Sequence, residues 1–378
     1  MQLTNTTKFP ALAFQATDQQ GQPSQVVVMR ATFDIKPDGA LEVSVEQQPL
    51  VLTDEYFGEI NRSCVRKESD LVPFKPQCDV IVNATAYAPG GRPSTGFIVG
   101  VRVNKPPDER VEPGLVVLDK KLVVTGSRHW EKGLLGGWKL RPPTMPITSL
   151  PLRYEYAFGG ECRIEMDDSA AERVGRKFLL GPEQRASHPD GEAKAPLAHA
   201  VYDDNPLGMG FAEEWYLKAK RMKTFPAPQI DSPENPVSVL GNAYAPQGFG
   251  IITKAWKQRL ELAGTYGDAW RENRWPHLPE DFDMEFWNGA HPDMRIPFPE
   301  GSEKITLTNL TPGGKLTISL PDHEPVVHVR REDGTTMSDH LKIDTLIIEP
   351  DSMKVSLVSR VMFAVHREVA PVEASLSI

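Results

Sequence analysis

Apolar residues recur at every second position in several short runs of this chain. Val27, Met29, Ala31, Phe33 and Ile35 alternate with their neighbours, KPDGA follows, and Leu41, Val43 and Val45 resume the alternation. A period of two places successive side chains on opposite faces of a strand, and Pro-Asp-Gly supplies turn chemistry, so this stretch reads as a β-hairpin. Further on, Cys78, Val80, Val82, Ala84, Ala86 and Ala88 share one parity, and Asp79, Ile81, Asn83, Thr85 and Tyr87 share the other. That order predicts a half-buried strand with Cys78 in the core and Asp79 as a solvated neighbour. Pro89-Gly90-Gly91 ends it, and Phe97, Val99, Val101 and Val103 alternate again as its hairpin partner.

The same grammar appears near the C-terminal end. Ile305 and Leu307 pair with Leu316, Ile318 and Leu320 across Thr311-Pro312-Gly313-Gly314. Residues 341–348 and the run Val355, Leu357, Val361, Phe363, Val365 flank a turn at Glu349-Pro350-Asp351. Helical signals are few and central. Ser169 with Glu172 three places on forms a capping-box pattern that predicts a helix toward Phe178 and Leu179, stopped by Gly181-Pro182. Ile252, Trp256, Leu260 and Ala263 recur at helical spacing, with Gly264 as the terminator.

These elements predict a mainly β protein: two β-sandwich-like lobes of antiparallel hairpins around an irregular Trp- and Pro-rich middle carrying a few short helices. The expected division is an N-terminal β lobe over 1–125, an irregular middle over 126–300 and a C-terminal β segment over 301–378. All seven tryptophans fall in the middle region. The 34 prolines in 378 residues argue for many short elements and long ordered connections. Long patternless stretches rich in aromatics are packed or functional rather than disordered.

Charge narrows the function classes. Forty-two Lys and Arg against fifty-one Asp and Glu leave a net charge of −9 with no long run of one sign, which disfavours a nucleic-acid partner. Cys64, Cys78 and Cys162 are too few and too scattered for a disulfide framework, and none is spaced as zinc ligands are. The N-terminal MQLTNTTKFPALAFQ lacks the charged start and apolar run of a secretory signal, and no stretch approaches about 18 apolar residues. The expected location is the cytoplasm.

Candidate chemistry is thin. Asp281-Phe282-Asp283, with Glu280, Glu285 and Asp293 nearby, could bind a hard cation but reads better as a solvated acidic loop. Cys162 has no local nucleophile signature, and there is neither GxSxG nor HExxH. The nine histidines are dispersed, and His188, His277 and His291 lie beside prolines or one residue away from them. No metal, cofactor or catalytic residue is expected. Aromatics and carboxylates on a β frame keep carbohydrate chemistry open, with Glu155, Glu161, Asp268 and Glu272 as nominees for the paired carboxylates of a glycosidase. The aromatic zone favours binding, because Trp, Tyr and Arg dominate protein interfaces.

The landmarks PFKPQCDVIVNATAYAPGGRP, GSRHW, LRYEYAFGG, NPLGMGF, PAPQI, AGTYGDAW, LPEDFD and IDTLIIEP followed by VSLVSR occur in this order from about residue 10 to 365. In them the chain resembles the adaptor or chaperone proteins encoded beside spike and toxin genes of bacterial type VI secretion systems, a domain-of-unknown-function family. The resemblance implies a non-catalytic helper without cofactors. Such a helper holds a type VI effector, often one with a PAAR-type domain, and promotes its loading on the VgrG spike. Ser127 in GSRHW departs from the more usual acidic residue, and the pentapeptide repeats of some members are absent. No partner contacts transfer residue by residue. From residue type, the expected client surface is Trp130, Tyr154, Tyr156, Trp270 and Trp287. The alternatives are a carbohydrate-active β-sandwich enzyme or binding protein, and a structural component of the secretion apparatus.

Overall fold

The structure is a computed structural model that describes residues 1–18, 20–106, 114–134, 136–322, 324–365 and 371–377. It is mainly β, with 39% strand against 14% helix. The largest sheet is organised by Pro23–Ile35, the longest strand, whose residues Ser24 to Phe33 are all buried. Ala11–Thr17 flanks it on one side and Lys354–Ala364 on the other, both antiparallel. The sheet continues through Lys342–Glu349, Cys78–Val82 and Arg295–Ile296, and Leu41–Val43 attaches to Pro23–Ile35 as the expected hairpin arm. Three of the four expected hairpins form: Pro23–Ile35 with Leu41–Val43, Lys304–Thr308 with Lys315–Ser319, and Lys342–Glu349 with Lys354–Ala364.

The fourth pairing differs. Cys78–Val82 does not pair with Gly96–Asn104; it lies parallel to Lys342–Glu349, with Val80 opposite Leu346. Gly96–Asn104 instead pairs with Val116–Thr125 and Lys304–Thr308 in a five-stranded sheet. The reason is burial on both faces. All five residues of Cys78–Val82 are buried, so its alternation does not separate core from solvent, and Asp79 is fully buried rather than solvated.

The two ends of the chain share their sheets. Segments 1–125 and 301–378 contribute strands to the same sheets, joined by Ile230–Asp231 and Arg295–Ile296 of the middle, so the expected lobe boundaries do not separate the β structure. A four-stranded sheet of Gln2–Asn5, Pro371–Ser377, Val326–Arg331 and Thr336–His340 repeats that mixing. One contiguous core receives Val27, Met29 and Phe33 from the largest sheet, Val99, Val101, Leu122 and Ile305 from the second, and Val327, Val329 and Leu376 from the third. Strands with this much apolar surface become stable only when both faces are covered, and in this chain the remote end supplies the cover.

The middle region joins this core through Leu150, Leu152, Tyr154, Phe249, Ile251 and Trp256 and carries two smaller clusters of its own, one around Trp130, Phe158 and Phe225 and one around Cys162, Ile164 and Trp215. Its helices are short. The expected helix after Ser169 is two 3-10 turns, Ala171–Arg173 and Arg176–Phe178, and the α-helix Pro182–Ala186 begins where the stop was expected. Gly175 and Gly181 are extended at these breaks, and Phe178 stacks on Trp215 at 5.5 Å, a tertiary contact that overrides the local signal. The second expected helix is Lys257–Leu260 with the 3-10 turn Glu261–Ala263, and it does end at Gly264, whose φ is +75°. Ile252 and Trp256 precede it as core anchors. No helix of the described residues is long and apolar enough to cross a membrane.

Burying the large sheet on both faces forces its polar side chains to pair. Arg30 donates to both Asp70 oxygens at 3.0 and 2.9 Å. Arg360 reaches the Asp70 carbonyl at 2.9 Å and pairs with Asp344, which accepts from Thr345. Thr345 in turn accepts from Lys75 at 2.9 Å, and Lys75 pairs with Asp79 at 2.7 Å. The result is a connected file of buried charges. Such pairs add little net stability over apolar packing, but loss of one partner strands the other.

Candidate functional site

Most of the sequence landmarks turn out to fasten one segment to another. Asp79, in PFKPQCDVIV, accepts from Asn288 Nδ2 at 2.9 Å and from the amides of Gly289 at 2.8 Å and Ala290 at 3.2 Å, tying the strand to the loop before Arg295–Ile296. Asn205, in NPLGMGF, donates Nδ2 to the carbonyls of Tyr154 and Phe158, in LRYEYAFGG, at 2.9 and 3.0 Å. Gly159 lies directly against the Asn205 backbone with φ at +150°, where a Cβ would collide. Arg128, in GSRHW, donates to the carbonyl of Pro228 and to Asp231 at 2.6 Å, and Gln229, in PAPQI, donates Nε2 to the Thr125 carbonyl at 3.0 Å. These residues are interior joints; of their buried side-chain atoms, Asn205 Oδ1 has no partner among the described residues.

One pair of landmarks stands apart because it folds on itself at the surface. In AGTYGDAW and LPEDFD, the Asp281 carboxylate accepts from the Thr265 amide at 2.9 Å and its hydroxyl at 2.7 Å, and these bonds hold the Asp281 carboxyl below its usual range. Gly264, at φ +75°, brings the chain so close to Pro279 and Asp281 that a side chain there would clash. The helix Asp268–Asn273 follows, and Trp270 donates Nε1 to the His277 carbonyl at 2.8 Å while meeting Tyr266 edge-on at 4.8 Å. Tyr266 is 51% exposed, Trp275 69% and Leu260 56%. A groove of about 510 Å³ runs along this shelf between Thr265, Trp270, Arg274 and Asp281.

The shelf is rooted in the interior. Arg259, at its base, is 1% exposed and donates to Glu68 at 2.5 Å and to the carbonyls of Ile252 and Phe286 at 2.7 Å. The Asp283 amide donates to the Leu262 carbonyl at 2.9 Å, and the His277 ring lies against Gly21 in the turn before Pro23–Ile35. Exposed aromatics on a fixed base lose little freedom on binding.

The five residues nominated from sequence do not form one surface. Trp130 is 0% and Tyr154 2% exposed, so both are core side chains: large rings in β-rich segments are drawn into the nearest apolar cluster. Tyr154 packs edge-on against Trp256 at 5.3 Å. Tyr156 is half-buried against the main core, and Trp287 is half-buried between Phe282 and Phe286 at 5.7 and 5.2 Å. Trp270 alone belongs to the shelf. Tyr266 and Trp275, which complete it, were not singled out. Tyr266 lies between Gly264 and Gly267 and Trp275 precedes Pro276, contexts that keep a ring out of regular packing.

The nominated chemistry is also dispersed. Glu155 accepts from the Cys64 amide at 2.9 Å and from its thiol, Glu161 pairs with His199 at 2.7 Å, and Asp268 pairs with Arg271 at 3.0 Å. Asp283 accepts the Glu285 amide as a turn cap. Among the described residues no group of three or more His, Cys, Asp or Glu is arranged to hold a metal ion. All three cysteines are buried; burial pushes Cys64 and Cys78 well above the ordinary thiol range, the Glu155 charge adding to the effect at Cys64, and it pushes Cys162 up to about 11. Thiols held neutral in this way are poor nucleophiles.

No curated protein and no solved structure matches the chain. One family model does, over residues 20–360, from just before the central strand to the end of VSLVSR. By that match the chain belongs to the family described as "Uncharacterized protein conserved in bacteria (DUF2169)".

Proposed function

We propose that the chain is a non-catalytic adaptor that holds a type VI secretion effector in the cytoplasm, through a PAAR-type or N-terminal region, and promotes its loading on the VgrG spike. The sequence resemblance supplies the partner class. The structural observation that supports the reading is the aromatic shelf: Tyr266, Trp270 and Trp275 stand on a base pinned by Arg259 and Asp281, with the exposed rings available to a partner. Interface energy concentrates in a few aromatic and Arg side chains. The interior role of the other landmarks fits a scaffold whose work is to present such a surface.

The test is affinity for a PAAR-type effector encoded beside this gene, with the double change Tyr266→Ala and Trp275→Ala. Each exposed hot-spot ring carries about 2 kcal/mol or more, so binding should weaken at least about thirtyfold per ring while the melting temperature holds. Binding within twofold of wild type would remove the shelf from the interface. Failure of the wild-type chain to bind any co-encoded effector would remove the adaptor reading itself.

A further inference from the structure

Away from the shelf, a second cavity of about 240 Å³ opens where the start of Lys342–Glu349, the far end of Lys354–Ala364 and the loop at Pro73, Phe74 and Lys75 meet. Its floor is one end of the buried charge file. Lys75, Asp344 and Arg360 line it with side chains 7%, 4% and 4% exposed. Lys75 is committed to Asp79 and Thr345, and Asp344 to Arg360 and Thr345. Arg360 also holds the Asp70 carbonyl, but its buried Nε–H has no acceptor among the described residues.

The walls and rim complete the chemistry. Phe74, Phe298 and Met362 give apolar sides. Lys342 stands at the rim with its ammonium 5.3 Å from the centre of the Phe298 ring and makes no ion pair among the described residues. Asp339, the other rim charge, already accepts the His340 amide at 2.9 Å. The Lys75–Asp79 and Arg360–Asp344 pairs are closed and Asp339 is engaged by the His340 amide, so Lys342 is the lining cation left without an ion pair among the described residues. Buried polar groups are normally satisfied, so an unmet guanidinium N–H beside an unpaired ammonium marks a place for an acceptor.

We propose that this cavity binds a monoanionic carboxylate carried on a small apolar body, its oxygens taking the Arg360 Nε–H and the Lys342 ammonium while the body lies between Phe74 and Phe298. A dianionic phosphate would bring a second negative charge with no further unpaired cation to meet it. At about 30 Å³ per water the space equals roughly eight waters, enough for one ring or one amino-acid side chain. The carboxylate belongs either to a free organic acid or to an acidic residue of a polypeptide.

The experiment is calorimetric titration of the full chain with benzoate, its neutral isostere benzamide, and the blocked peptide acetyl-Phe-Asp-Phe-amide. Benzoate should bind saturably and benzamide at least about tenfold more weakly. Lys342→Gln, at an exposed position, should weaken benzoate about tenfold, the scale of one charge-assisted hydrogen bond, and Phe74→Ala should also weaken it. Tighter binding of the peptide than of benzoate assigns the site to a polypeptide carboxylate, and the reverse assigns it to a free acid. Equal binding of benzoate and benzamide, no binding of either carboxylate probe, or indifference to Lys342→Gln in a variant that melts like wild type would each overturn the proposal. None of these outcomes depends on effector binding.

Discussion

Asp79→Ala is the sharpest test of how the fold is held. It removes one acceptor from four donors at once: Lys75 Nζ at 2.7 Å, Asn288 Nδ2 at 2.9 Å, and the amides of Gly289 at 2.8 Å and Ala290 at 3.2 Å. Breaking a buried ion pair from one side costs about 3–5 kcal/mol, and the stranded amides add to it. Lys75→Met also breaks the pair from one side but leaves the carboxylate with three N–H donors, so it should cost less, at the low end of that range, about 3 kcal/mol. At roughly 2.1 cal/mol/K of unfolding entropy per residue, a loss of about 4 kcal/mol lowers the melting temperature of a chain this size by about 5 °C. Calorimetry or tryptophan fluorescence reads the shift. Asp79→Ala melting within about 1 °C of wild type, or Lys75→Met costing more than Asp79→Ala, would refute the assignment of Asp79 as the hub.

The same residue carries a pH signature. Burial alone would raise the Asp79 carboxyl, but the Lys75 charge and hydrogen bond, with the Gly289 and Asn288 donors, outweigh it and leave the carboxyl below its ordinary value. A folded-state value below the unfolded one stabilises the fold fully above about pH 4, and that stabilisation fades as pH falls through the depressed value. The gap between wild type and Asp79→Asn should therefore be constant near neutrality and close only in acid. A gap of equal size at pH 2 and pH 7 would contradict the ionised, paired carboxylate.

Two further outcomes separate packing from function. Trp130→Ala, which empties a fully buried ring site in the cluster with Phe158 and Phe225, should destabilise by about 3–5 kcal/mol in chemical denaturation, whereas Trp275→Ala should stay within about 0.5 kcal/mol. The three buried thiols should resist a disulfide-exchange reagent at pH 8 in the native chain and all react once urea unfolds it; fast native labelling of Cys162 would show that its site opens.

What the sequence determined by itself was local. Alternation and turn residues identified the hairpin at Pro23–Ile35 and Leu41–Val43 and the two C-terminal hairpins, because both arms and the turn lie within one short window. Only the tertiary structure decided that Cys78–Val82 runs parallel to Lys342–Glu349, since that pairing spans more than half the chain and leaves no periodic trace in a strand buried on both faces. Asp79 shows the difference in one residue. A carboxylate in an alternating run suits solvent equally well, and only the arrival of Lys75, Asn288 and the 289–290 backbone makes its burial affordable. The aromatic shelf follows the same logic: the sequence offered seven tryptophans, and packing against distant segments settled that Trp130 is interior and Trp275 faces outward.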